Sequence, residues 1–340
     1  VSRTAAPARA PRRLGGAALA ALAGAALGAW WTADAVPPVP GLPEPGAAVR
    51  LVLPMTRLVM DLAAVAAVGL GTLPWLLRGA RPREVDPVRV VAHRAGVVLG
   101  AGWAATALVL LWLQTAELAG SGLSVDTATV VEYATTVSAG RALLVTTACA
   151  LLVALTHFAA LAGRSAPAGL GATTALLGLL PTPLTGHAAD MAHHTLSVVA
   201  IGVHAAAAAV WVGGLGALLS LVVPRRGALA TALPAFSRLA TAAVVAVVLS
   251  GLVTAVVRLA GELPEALVLT RYGVLVLAKT ACLLALAALG GHVRRRLLPL
   301  VVAHRATPLA AWVTAELVVM GLALGLAAVL ARTPTGIAVG

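Results

Sequence analysis

Residues Thr185 to Ser197 read TGHAADMAHHTLS, and His204 follows seven residues later inside an apolar run. His187, Met191, His193, His194 and His204 therefore place five imidazole or thioether donors within eighteen residues. Neutral imidazole and thioether both suit copper. The thioether favours Cu(I), and Asp190 offers a harder oxygen for Cu(II). The flanking sequence is nearly bare of polar side chains. Titratable groups at a bilayer are expensive to keep there and mark substrate or ion routes.

The elements that must position these donors are apolar helices. Hydrophobic residues make up 60% of the 340 and charged residues 11%, with a mean hydropathy of +0.99. A soluble fold of this length could not cover so much apolar surface. In lipid, a helix needs about 20 apolar residues to cross a core of roughly 30 Å. Such stretches lie at about 14–32, 51–77, 95–115, 140–162, 167–184, 194–223, 239–259, 272–291 and 308–331. The expected fold is all-α, a polytopic integral membrane helical bundle of about 8–9 transmembrane helices. Its organisation reads as a signal anchor or first transmembrane helix (1–35), an extracytoplasmic Pro-rich linker (36–50), an N-terminal transmembrane bundle (51–184), a core with the outer histidine cluster (185–331) and a tail (332–340).

A formal charge of +12 invites a nucleic-acid reading, but the distribution argues against one. With the N-terminus inside, seventeen arginines fall in inner segments, among them Arg78, Arg81, Arg83, Arg164, Arg225, Arg226, Arg294, Arg295, Arg296 and Arg305. Five fall outside: Arg50, Arg141, Arg258, Arg271 and Arg332. Asp34, Glu44, Glu117, Asp126, Glu132, Asp190, Glu262 and Glu265 lie outside as well. This is the positive-inside pattern of a cytoplasmic (inner) membrane protein with many passes. The charge encodes topology, no nucleic-acid partner is expected, and the histidine cluster falls on the extracytoplasmic side. The first segment, with Arg12 and Arg13 ahead of small apolar residues and Ala33-Asp34-Ala35 behind, fits a cleaved signal peptide or a retained helix alike.

Pro181 and Pro183 end the fifth span, so Thr185 to His193 forms an outer turn. On the following helix, spacings of seven and eleven residues put His193, Ser197, His204 and Trp211 on one stripe. That stripe descends roughly 15 Å to His204 at 1.5 Å per residue. Such a ladder would capture an ion at the mouth and pass it inward. His204, deep in apolar surroundings, needs a partner on a neighbouring helix or a functional reason to be there.

Other ionisable groups within spans are few. Lys279 is the only lysine, Glu316 sits near the middle of the last span, and Arg57 and Asp61 are i,i+4 neighbours able to pair. Lys279 and Glu316 are read as an interhelical ion pair or a proton-coupling site, since a bare charge in the bilayer demands a partner or a wet cavity. His157 lies low in the fourth span, where it either receives an ion or bonds a carbonyl. Cys149 and Cys282 stand alone in spans and read as small core hydrophobes. No nucleophile elbow, HExxH or phosphate loop occurs, so no enzymatic activity is expected.

Three further segments carry a family resemblance. VHAAAAAVWVGGLGAL (203–218), FSRLATAAVVAVVLSGLVTA (236–255) and TRYGVLVLAKTACLLALAAL (270–289) follow TGH (185–187) in order. Together they resemble the copper resistance protein D (CopD) family. The close match spans roughly 185–300, while the upstream spans agree in number and length only. The resemblance implies a copper homeostasis protein moving copper, as Cu(I) or Cu(II), inward across the membrane. It also implies a periplasmic CopC-like copper carrier or a cytochrome oxidase assembly factor as partner. Carried over residue by residue, it points to His187 and His204, then His194 and Met191, with Lys279 in support. Two other readings remain open at this point. One is a membrane haem b protein with His157 and His204 as axial ligands. The other is a copper-holding scaffold for oxidase assembly that moves no ion.

Overall fold

The computed structural model describes residues 9–31, 47–120, 122–164, 167, 169–181, 194–258, 265–305, 307–330 and 333. Among them every regular element is helical, as the composition predicts. The helices are α1 (Arg9–Trp31), α2 (Ala47–Leu76), α3 (Pro82–Ala119), α4 (Thr127–Thr136), α5 (Ser138–Leu161) and α6 (Leu170–Leu179). They continue with α7 (His194–Ala217), α8 (Arg226–Arg258), α9 (Glu265–Leu269), α10 (Arg271–His292), α11 (Leu298–Val302) and α12 (Leu309–Leu330). Short π-helical segments, Leu218–Val222 and Val293–Leu297, extend α7 and α10. Seven helices are long and apolar enough to cross a membrane, and two shorter apolar ones accompany them. The chain is an all-α polytopic membrane bundle.

Two spans differ in extent from the expectation. Within the expected fifth span, 167–184, the described helix is Leu170–Leu179, and 182–184 lie outside the described residues. At 1.5 Å per residue that helix covers about 15 Å. Gly169, in the left-handed region at φ 89°, sets its start, and Leu180 and Pro181 follow its end. The third span is longer than expected, at 38 residues, and so reaches beyond the hydrocarbon on length alone. Pro82 at its first turn costs no intrahelical bond.

A short helix absent from the sequence reading, α4, joins α3 to α5. Asp126 caps it, accepting from the Thr129 N–H and hydroxyl at 2.8 Å each. These bonds hold the Asp126 carboxyl below the usual carboxylate range.

Helix α2 is the hub, packing on α3, α6 and α7. One core gathers Met60, Val68, Trp103, Leu110, Leu143 and Val153 between α2, α3 and α5. The other gathers Leu73, Leu76, Leu215, Leu218, Leu233 and Met320 from α2, α7, α8 and α12. Small residues let the backbones meet. A Cβ on Gly69 of α2 would overlap the Gly213 backbone of α7, and one on Gly213 would overlap Val65 O. Helix α1 lies against α12 in the same manner, with Gly321 facing Ala17 O and Gly325 facing Ala21 O. Such small-residue seams are how helices associate where lipid supplies no hydrophobic drive. On α8, Val245, Val248, Leu249, Leu252 and Val256 are exposed, forming the apolar surface that a bilayer covers.

Successive long helices put the segments that carry Arg78, Arg81, Arg164, Arg225, Arg294 and Arg305 at one end of the bundle. His194 opens α7 at the other end.

Candidate metal-handling site

Three helices converge on His204. It lies ten residues into α7, about 15 Å from the histidine-bearing end. Ser250 lies eight residues before the end of α8, and Lys279 lies eight residues into α10, each about 12 Å from that end. The three positions therefore share a level in the bundle. His204 Nδ1 is 3.2 Å from the Val247 carbonyl oxygen and 3.2 Å from Ser250 Oγ. Ser250 donates its own proton back to Ala246 O at 2.5 Å.

These contacts set the tautomer. A carbonyl only accepts, and the serine proton is directed elsewhere, so Nδ1–H of His204 is the donor. Nε2 then carries the lone pair. An imidazole whose far nitrogen is anchored to backbone and hydroxyl is oriented as metal-ligating histidines are. Lys279 is near enough to interact electrostatically with His204 and with Cys282. Ser197 and Trp211, from the same stripe of α7, are both buried. That stripe thus faces the protein interior.

His187, Met191 and His193 lie outside the described residues. His194 is the first residue of α7, and its side chain also falls outside them. Among the described residues, no group of three or more His, Cys, Asp or Glu side chains is placed to hold one metal ion.

The two expected ion pairs fare differently. Arg57 Nε meets Asp61 Oδ2 at 3.3 Å, along one face of α2. Lys279 and Glu316 do not pair. Glu316 is buried at 6% exposure, and its Oε1 would lie 3.1 Å from a Cβ on Gly290. Gly290 is eleven residues beyond Lys279 on α10, about 16 Å along the axis. Sequence alone placed each residue within its span, but not the two at different depths on antiparallel helices.

The structure also brings together a pair that sequence reasoning did not join. His93 on α3 and His157 on α5 stand with their Nδ1 atoms 2.9 Å apart and ring centroids 5.2 Å apart, tilted by 56°. They are 64 residues apart in sequence, so no helical spacing signals the contact. His157 thus faces His93, while His204 is engaged with α8. The two histidines considered as haem ligands thus have their Nδ1 atoms on different neighbours, His157 on α3 and His204 on α8.

The fold and these buried polar groups define a multi-pass helical membrane protein with half-buried histidines bonded between its helices. Family comparison is specific. The model for copper resistance protein D matches residues 230–330, and that for the copper resistance protein D-like N-terminal domain matches residues 48–196. The chain belongs to the copper resistance protein D family and is a membrane protein of copper resistance. Ser250, Lys279 and Glu316 fall within the first match. His93, His157 and the His187–His194 cluster fall within the second, and His204 lies between the two. No curated protein and no solved structure matches the chain.

Proposed function

We propose that this protein carries copper across the cytoplasmic membrane toward the cytoplasm, capturing it at the extracytoplasmic face. His187, Met191, His193 and His194 form the capture group at the mouth, and His204 is the next donor inward. The observation that carries this reading is the anchoring of His204 Nδ1 to Val247 O and Ser250 Oγ at 3.2 Å. That anchoring leaves a neutral imidazole with its Nε2 lone pair available for copper. The arginine-rich segments support the assignment of the opposite end to the cytoplasm.

Lys279 sits beside this route. If its amine is protonated when copper arrives, the two like charges oppose each other, which would link transfer to proton exchange. No nucleotide site drives the process, so the ion follows its gradient or a coupled proton. The protein acts as a conduit rather than an enzyme. A CopC-like periplasmic carrier would deliver the ion, or a cytochrome oxidase assembly factor would receive it.

The test is metal content of the detergent-purified chain, expressed with copper and iron, beside a His187→Ala/His204→Ala variant. Uptake by cells carrying each form is measured in parallel. About one copper per chain, lost together with uptake in the variant, supports transport. Copper lost while uptake stays unchanged leaves a holding scaffold. Iron with a Soret band and no copper removes the copper reading.

A further inference from the structure

The His93–His157 pair has no part in the site around His204, and its geometry carries a function of its own. The two Nδ1 atoms converge at 2.9 Å from separate helices. Without a metal, only one proton can lie between them, so one ring donates and the other accepts. Replace that proton with a metal ion and both nitrogens become ligands. With metal–imidazole bonds of roughly 2.0 Å, nitrogens 2.9 Å apart subtend about 90° at the ion. That is the angle between neighbouring ligands in a tetragonal Cu(II) site, whose geometry copper prefers with imidazole.

The setting suits such a site. His93 is eleven residues into α3 and His157 four residues from the end of α5, so both lie toward the arginine-rich end. Both rings are half-buried, so the pair is not sealed within the packed interior. Arg89, one turn earlier on α3, is within electrostatic reach of His93. It has Asp86 as a partner at 3.7 Å, which offsets part of the repulsion toward an incoming cation. Gly96 makes the approach possible, because a Cβ there would overlap the His157 imidazole. The helix pair thus holds two nitrogen donors together, away from the α7–α8 contact of His204.

We propose that His93 and His157 form a second transition-metal site, binding Cu(II) through both Nδ1 atoms at the arginine-rich end of the bundle. The inference concerns metal binding and stands whether or not the protein moves copper. In the transport reading, this pair is where the ion leaves.

The test isolates the pair. The full chain carrying His187→Ala, Met191→Ala, His193→Ala, His194→Ala and His204→Ala is purified and loaded with Cu(II). Retained copper and its electron paramagnetic resonance spectrum are then measured. One copper per chain with hyperfine coupling from two nitrogens is expected. Adding His93→Gln or His157→Gln should remove both the copper and the coupling. Glutamine keeps a hydrogen-bonding side chain, and thermal melting checks the fold. Gly96→Ala retains both histidines but pushes the His157 ring aside, so it should weaken copper at least tenfold even if a glutamine variant fails to fold. No retained copper in the five-site background overturns the proposal. So does copper with a spectrum unchanged by His157→Gln and Gly96→Ala. Neither result bears on uptake by the intact chain, which tests the transport reading separately.

Discussion

Glu316 of α12 rests against Gly290 of α10, about three helical turns deeper toward the arginine-rich end than Lys279. Among the described residues its carboxyl group forms no ion pair. A carboxylic acid isolated from cations in a bilayer is well placed to take up and release a proton. Glu316→Gln is therefore expected to fold and to keep bound copper, while its uptake rate falls about tenfold and loses its pH dependence. Uptake by proteoliposomes between pH 6 and 8 is the measurement. A variant with the wild-type pH profile takes Glu316 out of the coupling.

Ser250 positions His204 without being a ligand itself. Ser250→Ala removes one of the two anchors on Nδ1 and leaves the Val247 carbonyl in place. Loss of an outer anchor of this kind lowers metal affinity by about 10–100-fold. Copper affinity is expected to drop toward the lower end of that range, with no change in stoichiometry. Competition against a chelator of known affinity reads the shift, and an affinity within twofold of wild type would separate Ser250 from the site.

The crossing of α2 and α7 depends on Gly69 and Gly213 lacking side chains. What a new Cβ would meet is backbone, which cannot rotate away. Gly213→Leu is expected to cost at least roughly 2–3 kcal/mol, at the upper part of the range for overpacking. Thermal unfolding in detergent gives the value. The same variant should also weaken copper binding, because α7 carries His204. Wild-type stability in this variant would mean that the two helices do not cross at these glycines.

Helix α1 is expected to remain in the mature protein. Its Ala17, Ala21 and Gly24 meet Gly321, Gly325 and Leu322 O of α12 in a continuous seam. Packing this close is the reason to expect a retained structural helix. Intact-mass spectrometry of membrane-extracted protein is the check. A mass lacking residues before about Val36 would assign the segment to a cleaved signal instead.

Much of this was readable from composition and charge. Long apolar runs separated by arginines specify membrane helices, because unpaired backbone groups are intolerable in lipid and α-helices satisfy them internally. The Arg57–Asp61 pair was equally readable, since a spacing of four places both on one helix face. The break of α6 at Leu180 was not, because hydropathy runs on through that point.

Sequence by itself determined the class of protein, the all-α membrane fold and the depth of His204 along its helix. All of these follow from periodicity and hydrophobicity within single segments. Tertiary structure alone decided which side chains meet. It joined His204 to Val247 and Ser250, 43 and 46 residues away, joined His93 to His157, and parted Lys279 from Glu316. The physical reason is that a helix sets the direction and height of its own side chains. Only the packing of helices against one another, governed here by where glycine and alanine let backbones approach, sets who stands opposite.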